Sequence, residues 1–556
     1  MRTERILYLR NVFFWMLCFV AIVDAQSPGS KPQQPTNSKT FRVAGMVVSA
    51  ADGHALARAN ISLTDTKNPQ NKQLTSSSET GHFEFNRVAK GKYSLVGTKR
   101  GFISLAYNQH EQFSTAIVTG ADVLTDDLRL QLPPAAVLSV RVTDETSEPV
   151  RKASVMLYRE DRTTGIRRII SFNGSSTDDL GSCEFAHLSP GVYFVGVTAK
   201  PWYAVHPATM RADGQDDPSA SEVHSFDVAY PPTYYGDTME PDSATPITAK
   251  GGDQLQAEIH LSPVPALHLV FHAADDGSQG IRMPMLQEVG FDGTELKPMT
   301  EIRNVSAGIF EMVGLSPGKY KARWPGSSPV EVDIATDGQN LNEVRGEAFS
   351  TISASVRVLG EPKLPQPLYL RLRAADGNNG AQAKVDDKGK ASFANVSPGK
   401  YNVFAMTFGT SGVKPYSVWQ ISSEGNVTPG TSLNVPAGSS LTVSLSLVSG
   451  MVNVEGFAKR AGKAAPGVMI VLVPKDPDEN RDLFRRDQSD LDGSFSLQGV
   501  VPGSYTVVAI EDGWDMDWSL PSVIEPYAKN GQAVIISDLH EHSVKLPEAI
   551  EVQPHR

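Results

Sequence analysis

Trp202, Tyr203, Trp514 and Trp518 are large aromatic residues in polar, turn-rich stretches, and Asp512, Asp515 and Asp517 flank two of them. That combination suits one kind of chemistry. A flat ring stacks on the apolar face of a sugar, while neighbouring carboxylates accept hydrogen bonds from its hydroxyls. Trp202, Tyr203, Trp514, Trp518, Asp515 and Asp517 are therefore the candidate contacts for a polysaccharide ligand. Phe102, Trp202 and Trp514 each stand nine residues past a recurring tyrosine. A fixed offset is also what a loop aromatic packed back over its own module produces, and this structural reading comes first.

Other chemistry finds less support. The twelve histidines are scattered, without His-Glu-x-x-His, Gly-x-Ser-x-Gly, a P-loop or a dinucleotide fingerprint. His540-Glu541-His542 places two imidazoles on one face of a strand, a metal-like spacing. An exposed segment near the C-terminus is the reading that comes first. Asp487, Asp490 and Asp492 precede Gly493, and Asp476, Asp478 and Glu479 lie nearby. Such oxygen ligands suit Ca²⁺, but the spacing is not that of an EF-hand, and an Asp-Gly turn needs no metal. No catalytic residue, metal or cofactor is assigned, and the chain reads as non-catalytic.

The elements that must position these residues follow a repeat. A glycine is followed ten residues later by a second glycine and twelve residues later by a tyrosine, five times: Gly81/Gly91/Tyr93, Gly181/Gly191/Tyr193, Gly308/Gly318/Tyr320, Gly389/Gly399/Tyr401 and Gly493/Gly503/Tyr505. Each unit reads as a hairpin. Phe83 and Phe85, and their equivalents Cys183 and Phe185, Phe310 and Met312, Ala391 and Phe393, Phe495 and Leu497, alternate with period two and face a core. An apolar anchor follows (Val88, Leu188, Leu315, Val396 or Val500), then a tight turn such as Ser189-Pro190-Gly191-Val192. Pro-Gly there predicts a type II turn, its glycine at positive φ. The leading glycine lies in an acidic turn, as in Asp178-Asp179-Leu180-Gly181. Further short strands, including Ala59–Leu63, Ala153–Leu157 and Val468–Leu472, lie upstream of these hairpins. Many short strands at this interval predict small antiparallel sandwiches, all-β throughout.

With Gly81-His82-Phe83-Glu84-Phe85 through Tyr93, and Asp492–Leu497 through Pro502-Gly503-Ser504-Tyr505, the units resemble the carboxypeptidase regulatory-like domain. That resemblance implies a prealbumin-like (transthyretin-like), Ig-like sandwich within the carbohydrate-binding-like fold class. Tandem copies are similar to exported bacterial proteins. The zinc peptidase chemistry associated with such domains is not carried over, because no histidine here has Glu three residues on. The expected organisation is a signal peptide at 1–25, a flexible linker at 26–40, and sandwiches at 41–133, 134–264, 265–349, 350–449 and 450–548. The third and fourth are divergent. A polar tail at 549–556 ends the chain. Pro-rich junctions such as Leu132-Pro133-Pro134 restrict flexing, so the modules are expected to form a rod or curved string.

Arg2, Arg5 and Arg10 precede an apolar run from Val12 to Val23 and a Val23-Asp24-Ala25 cleavage site. The run is too short to span a bilayer, which takes about 20 residues. The protein is expected to be exported, to the periplasm, the outer surface or the medium, without direct membrane insertion after cleavage. Cys183 is then the sole thiol, read as a small core hydrophobe. Formal charge is −11 for the 556 residues, and no basic cluster stands out, which argues against nucleic acid. The expected role is a structural or adhesive array. Its partners are a polysaccharide or a surface or envelope protein.

Overall fold

The computed structural model describes residues 39–207, 225–272, 284–306, 308–339, 341, 344–374, 380–407, 416–423, 425–449, 452–478, 480–537 and 543–555. The expected signal peptide and most of the expected linker, together with His540-Glu541-His542, lie outside the described residues. Residues from Thr40 onward form one compact unit.

The fold is all-β, with sheets paired into consecutive sandwiches. The first shows the plan: β1 (Phe41–Ser49), β2 (Asn60–Asp65), β3 (Lys72–Ser76), β4 (His82–Val88), β5 (Gly91–Thr98), β6 (Leu105–Ala106), β7 (Ile117–Thr119) and β8 (Leu128–Leu132). One sheet runs β4-β1-β8 and the other β3-β2-β5-β6, with β7 also on β5. Val43, Phe83, Phe85 and Leu130 from one sheet meet Ile61, Leu63, Tyr93 and Leu95 from the other in a single core. Equivalent cores serve the second, third, fourth and fifth modules. Hairpin pairing is antiparallel, but β8 lies parallel to β1. The second, fourth and fifth modules repeat this parallel pairing. The reason is topological: the chain leaves β5 in one sheet and must cross to the other to close it.

The alternation seen in the sequence matches the burial. Phe83, Phe85, Phe185, Phe310, Met312, Ala391, Phe393, Phe495 and Leu497 are buried, and Cys183 is half-buried against its core. Between these pairs and the apolar anchor the ladder slips by one residue in all five modules, as where Phe41 pairs Val88 but Val43 pairs Phe85. Such a bulge turns the anchor back into the core. The recurring tyrosine is buried, and its hydroxyl donates to the carbonyl four residues earlier: Tyr93 to Ala89 at 3.1 Å, Tyr193 to Ser189 at 2.8 Å, Tyr320 to Ser316 at 2.7 Å, Tyr401 to Ser397 at 2.8 Å and Tyr505 to Val501 at 2.9 Å. This bond ties the turn to the strand that follows it, so an inserted residue would break it.

The glycine roles differ from the expectation. The turn glycines 91, 191, 318 and 503 are not left-handed, and Gly399 has φ 143°, far from a type II turn. Positive φ belongs to the leading glycines, from 71° at Gly181 to 79° at Gly308 and Gly493. A Cβ on Gly493 would lie 2.5 Å from the Ala458 carbonyl oxygen, and one on Gly181 2.5 Å from that of Val142. The crossing of the acidic turn over the first strand of its module demands glycine.

The fifth module departs in two ways. Strand Met469–Pro474 is buried at every position because both its faces are covered. Ile470 and Leu472 face the core, while Met469 and Val471 pack under Ile524 and Tyr527 of the helix α1 (Pro521–Ala528). The stretch expected as a polar tail adds a strand instead: Ile550 pairs with Ala458 and is buried.

The modules do not follow one another as a string. The fifth touches the fourth through Thr431 and Asp482 at 2.5 Å, and it also contacts the second and the first.

Candidate functional site: an aromatic surface and the junctions between sandwiches

Trp202 projects from the turn after the second module's tyrosine strand and is 84% exposed. Among the described residues its ring meets the edge of Tyr203, 5.8 Å away and near perpendicular, and Tyr203 in turn meets Phe226 at 6.1 Å. Val205, hydrogen-bonded through its N–H to the Phe226 carbonyl at 2.8 Å, and Phe226 are both exposed. Below this apolar surface the hydroxyls of Tyr203 and Tyr230 both donate to Glu145, the latter at 2.8 Å. Burial, followed by the Glu145 carboxylate, pushes Tyr203 up to about 12. Tyr203 therefore stays a hydrogen-bond donor at neutral pH, and the exposed Trp202 rides on a fixed base.

Trp514 and Trp518 are placed differently. Both sit where the fifth module meets the first. Trp514 stacks on His110 at 4.8 Å with the rings 3° from parallel, and Phe113 lies 5.9 Å away. Trp518 is buried beneath the Arg486 guanidinium, 4.2 Å from its ring centre, with Phe484 at its edge. Sugar stacking needs an accessible face; His110 and Arg486 occupy one on each of these rings. Asp517 accepts the Arg167 N–H at 2.7 Å and lies 3.6 Å from Arg162 Nε, joining the fifth module to the second. Asp515 is exposed, with His555 3.8 Å away. The six candidate residues thus fall into a pair on the second module, Trp202 exposed and Tyr203 half-buried, and four residues of the fifth at or near its contacts, Trp514, Asp515, Asp517 and Trp518.

The contact between modules five and one is a clasp built on buried polar groups. Arg486 holds Glu111 through both guanidinium nitrogens at 2.6 and 3.2 Å, a bidentate pair. Gln488, 1% exposed, donates to Thr115 Oγ1 at 2.8 Å and to the Asn108 carbonyl, and faces His110 Nδ1 at 3.1 Å. Lys92 Nζ lies 2.6 Å from Asp490 and 2.9 Å from Ser494. Backbone bonds run across too: Leu491 N–H to the Ala116 carbonyl at 3.0 Å, and Ala116 N–H to Asp490 at 3.0 Å. In the second and fourth modules the matching acids, Asp178 and Asp386, cap their own turns. Asp490 turns outward to another module instead. Three of the possible calcium ligands are thereby engaged: Asp487 caps Ser496 and Gln488, Asp490 holds the clasp, and Asp492 bonds Ser494; Asp478 pairs with Arg481 at 3.3 Å, and Glu479 lies outside the described residues. Lys92, Glu111, Arg486 and Gln488 were not singled out from the sequence. A charged and an amide residue alternating in strand Arg485–Gln488 gave the only local sign.

A second polar cluster lies between modules two and three. His206 Nδ1 is 2.8 Å from Asp227 Oδ1, and His268 Nε2 is 2.9 Å from Asp227 Oδ2. His268 Nδ1 faces Glu311 Oε1 at 3.3 Å. The two histidines and Glu311 are buried. Burial disfavours a charged His268, but Glu311 and Asp227 outweigh it and raise the imidazole above its ordinary value. Alongside, Phe291 of module three is buried among Tyr158, Phe194 and Tyr234 of module two, 4.9 to 5.3 Å away. Among the described residues, this is the group able to hold a metal ion.

Residues 38–117 match the family described as BOS complex subunit NOMO1-like, second beta sandwich domain. BOS complex subunit NOMO3 of Homo sapiens is 28% identical over 201 residues, 33% of this chain and 15% of that protein. BOS complex subunit NOMO1 of Mus musculus is 27% identical over 203 residues, again 33% and 15%. The chain thus spans about 15% of the length of these curated relatives. Among solved structures, the Bacillus anthracis TIE protein aligns over 75% of this chain and 76% of its own, at 11% identity and a TM-score of 0.18. GBS52, the minor pilin of Streptococcus agalactiae, aligns over 41% and 97%, at 11% identity and a TM-score of 0.21. Superposition that loose carries no argument about this chain. Among the described residues no helix is long and apolar enough to cross a membrane.

Proposed function

We propose that this chain is an exported, non-catalytic scaffold of β-sandwiches that presents the Trp202 surface to a protein partner at the cell surface or in the envelope. The observation that carries this reading is the clasp between modules five and one. Its bidentate Arg486–Glu111 pair and buried Gln488 hold together parts of the chain some 375 residues apart. A flexible string would not require them, whereas a scaffold that displays a surface in a set orientation does. The relatives matched are named as subunits of a complex, which favours a protein over a free sugar as partner. The recurring glycine–tyrosine hairpin supports placing the modules in the carboxypeptidase regulatory-like group, at 41–133, 134–264, 265–349, 350–449 and 450–548. The last extends to Glu551 by its added strand.

A second reading rests on the exposed ring of Trp202 beside Tyr203, whose hydroxyl is held by Glu145: polysaccharide binding through Trp202 and Tyr203. One experiment tests both. A photo-crosslinking phenylalanine analogue at position 202 is compared in the source cells with the same analogue at exposed Leu74 on the first module. One protein adduct at 202 and none at 74 is expected. A glycan adduct at 202 would favour the second reading. Equal labelling at both positions, or none, would sink the scaffold-display reading.

A further inference from the structure

The cluster between modules two and three has an unusual proton inventory. A neutral imidazole carries one N–H and one lone pair. His268 points both nitrogens at carboxylates, Nε2 at Asp227 and Nδ1 at Glu311. In a neutral His268 one lone pair would therefore confront a carboxylate oxygen. With both imidazoles neutral, the half-buried Asp227 and the buried Glu311 would face His268 from two sides with no positive charge on the ring between them. A protonated His268 would meet both conflicts by donating to each carboxylate; a divalent cation meets them without the extra proton, accepting the Nε2 lone pair, sharing Asp227 and leaving Nδ1–H to donate to Glu311. A carboxylate behind the distal nitrogen of a ligating histidine is the usual second contact in such sites.

The geometry permits it. The donor atoms of His206, Asp227 and His268 lie within 4.8 Å of one another. Closing them onto one ion with bonds of about 2.0–2.2 Å requires shifts on the order of 1 Å. The imidazole side chains are 4% and 2% exposed and that of Asp227 18%, so the donors are shielded from bulk water. Gly314, at φ 79°, leaves the space for His206: a Cβ there would lie 2.8 Å from Nε2.

We propose that His206 Nδ1, an Asp227 oxygen and His268 Nε2 bind one divalent transition-metal ion of the zinc class. Two imidazoles and one carboxylate suit that class better than Ca²⁺ or Mg²⁺. The ion would clip module two to module three, with Glu311 positioning His268.

The test uses the full exported chain stripped with a chelator and titrated with Co²⁺. The expected result is one Co²⁺ per chain, with the visible absorption of a low-coordinate N/O site, displaced by Zn²⁺. Zn²⁺ should raise the melting temperature. Asp227→Asn and His206→Ala should abolish the band, and Glu311→Gln should weaken Co²⁺ binding about 10-fold. His54→Ala, at an exposed histidine, should change nothing. No band in the unmodified chain overturns the proposal whatever the variants do. A band that survives Asp227→Asn and His206→Ala, or is lost in His54→Ala, overturns it equally.

Discussion

Glu288 lies on strand Met285–Val289, opposite Tyr320, and burial pushes its carboxyl up to about 8 from an ordinary 4.5. The folded module therefore keeps a proton that the unfolded chain has lost between those two values. Stability falls as pH rises through that window and levels off above it. Glu288→Gln removes the titration. The variant should match the parent near pH 4 and exceed it by on the order of 5 kcal/mol at pH 9, from about 1.4 kcal/mol for each pH unit between 4.5 and about 8. Thermal unfolding of the third module at both pH values checks this; equal differences at pH 4 and pH 9 would refute the buried carboxyl. Tyr203 illustrates the complementary case, where a raised hydroxyl secures a hydrogen bond and with it the orientation of the exposed Trp202.

The recurring hairpin combines three local devices: the left-handed leading glycine, the bulge before the apolar anchor, and the tyrosine hydroxyl on the turn carbonyl. The first can be separated into strain and clash. Gly462 has φ 78° and nothing within 4 Å of a notional Cβ, whereas Gly493 has φ 79° and the Ala458 oxygen at 2.5 Å. Gly462→Ala should cost only the left-handed penalty, about 1–2 kcal/mol. Gly493→Ala should cost at least about 2 kcal/mol more, since backbone must move. Urea unfolding of the fifth module measures both. Equal losses would mean that the crossing strand is not held where it appears.

The clasp decides how the modules stand to one another, and with that where Trp202 faces. Arg486 is nearly buried, with Glu111 on one side and Trp518 on the other. Removing one member of such a pair leaves the other charge poorly solvated, a loss of about 3–5 kcal/mol in fully buried cases. Arg486→Met should therefore part modules five and one while leaving each sandwich folded. The radius of gyration from solution scattering should rise, with the far-ultraviolet spectrum unchanged. Arg486→Met combined with Glu111→Leu should restore part of the compactness, because the stranded carboxylate is gone. An unchanged radius in the single variant would show that the clasp does not hold the chain closed.

The sequence by itself determined what depends on near neighbours along the chain. Period-two alternation placed Phe83 and Phe85 and their counterparts on buried faces, since a pleated strand leaves them no other choice. The invariant glycine–tyrosine spacing marked five hairpins, since the tyrosine bond closes over four residues. It misassigned the positive φ to the turn glycine, because the need for glycine at the leading position comes from a strand some 35 residues earlier, as with Gly493 and Ala458. Only the tertiary structure paired Arg486 with Glu111, turned Asp490 from its own loop to Lys92, and brought His206 and His268 onto one carboxylate. Those contacts depend on how folded surfaces complement each other. No spacing rule links residues whose separation is set by the modules between them.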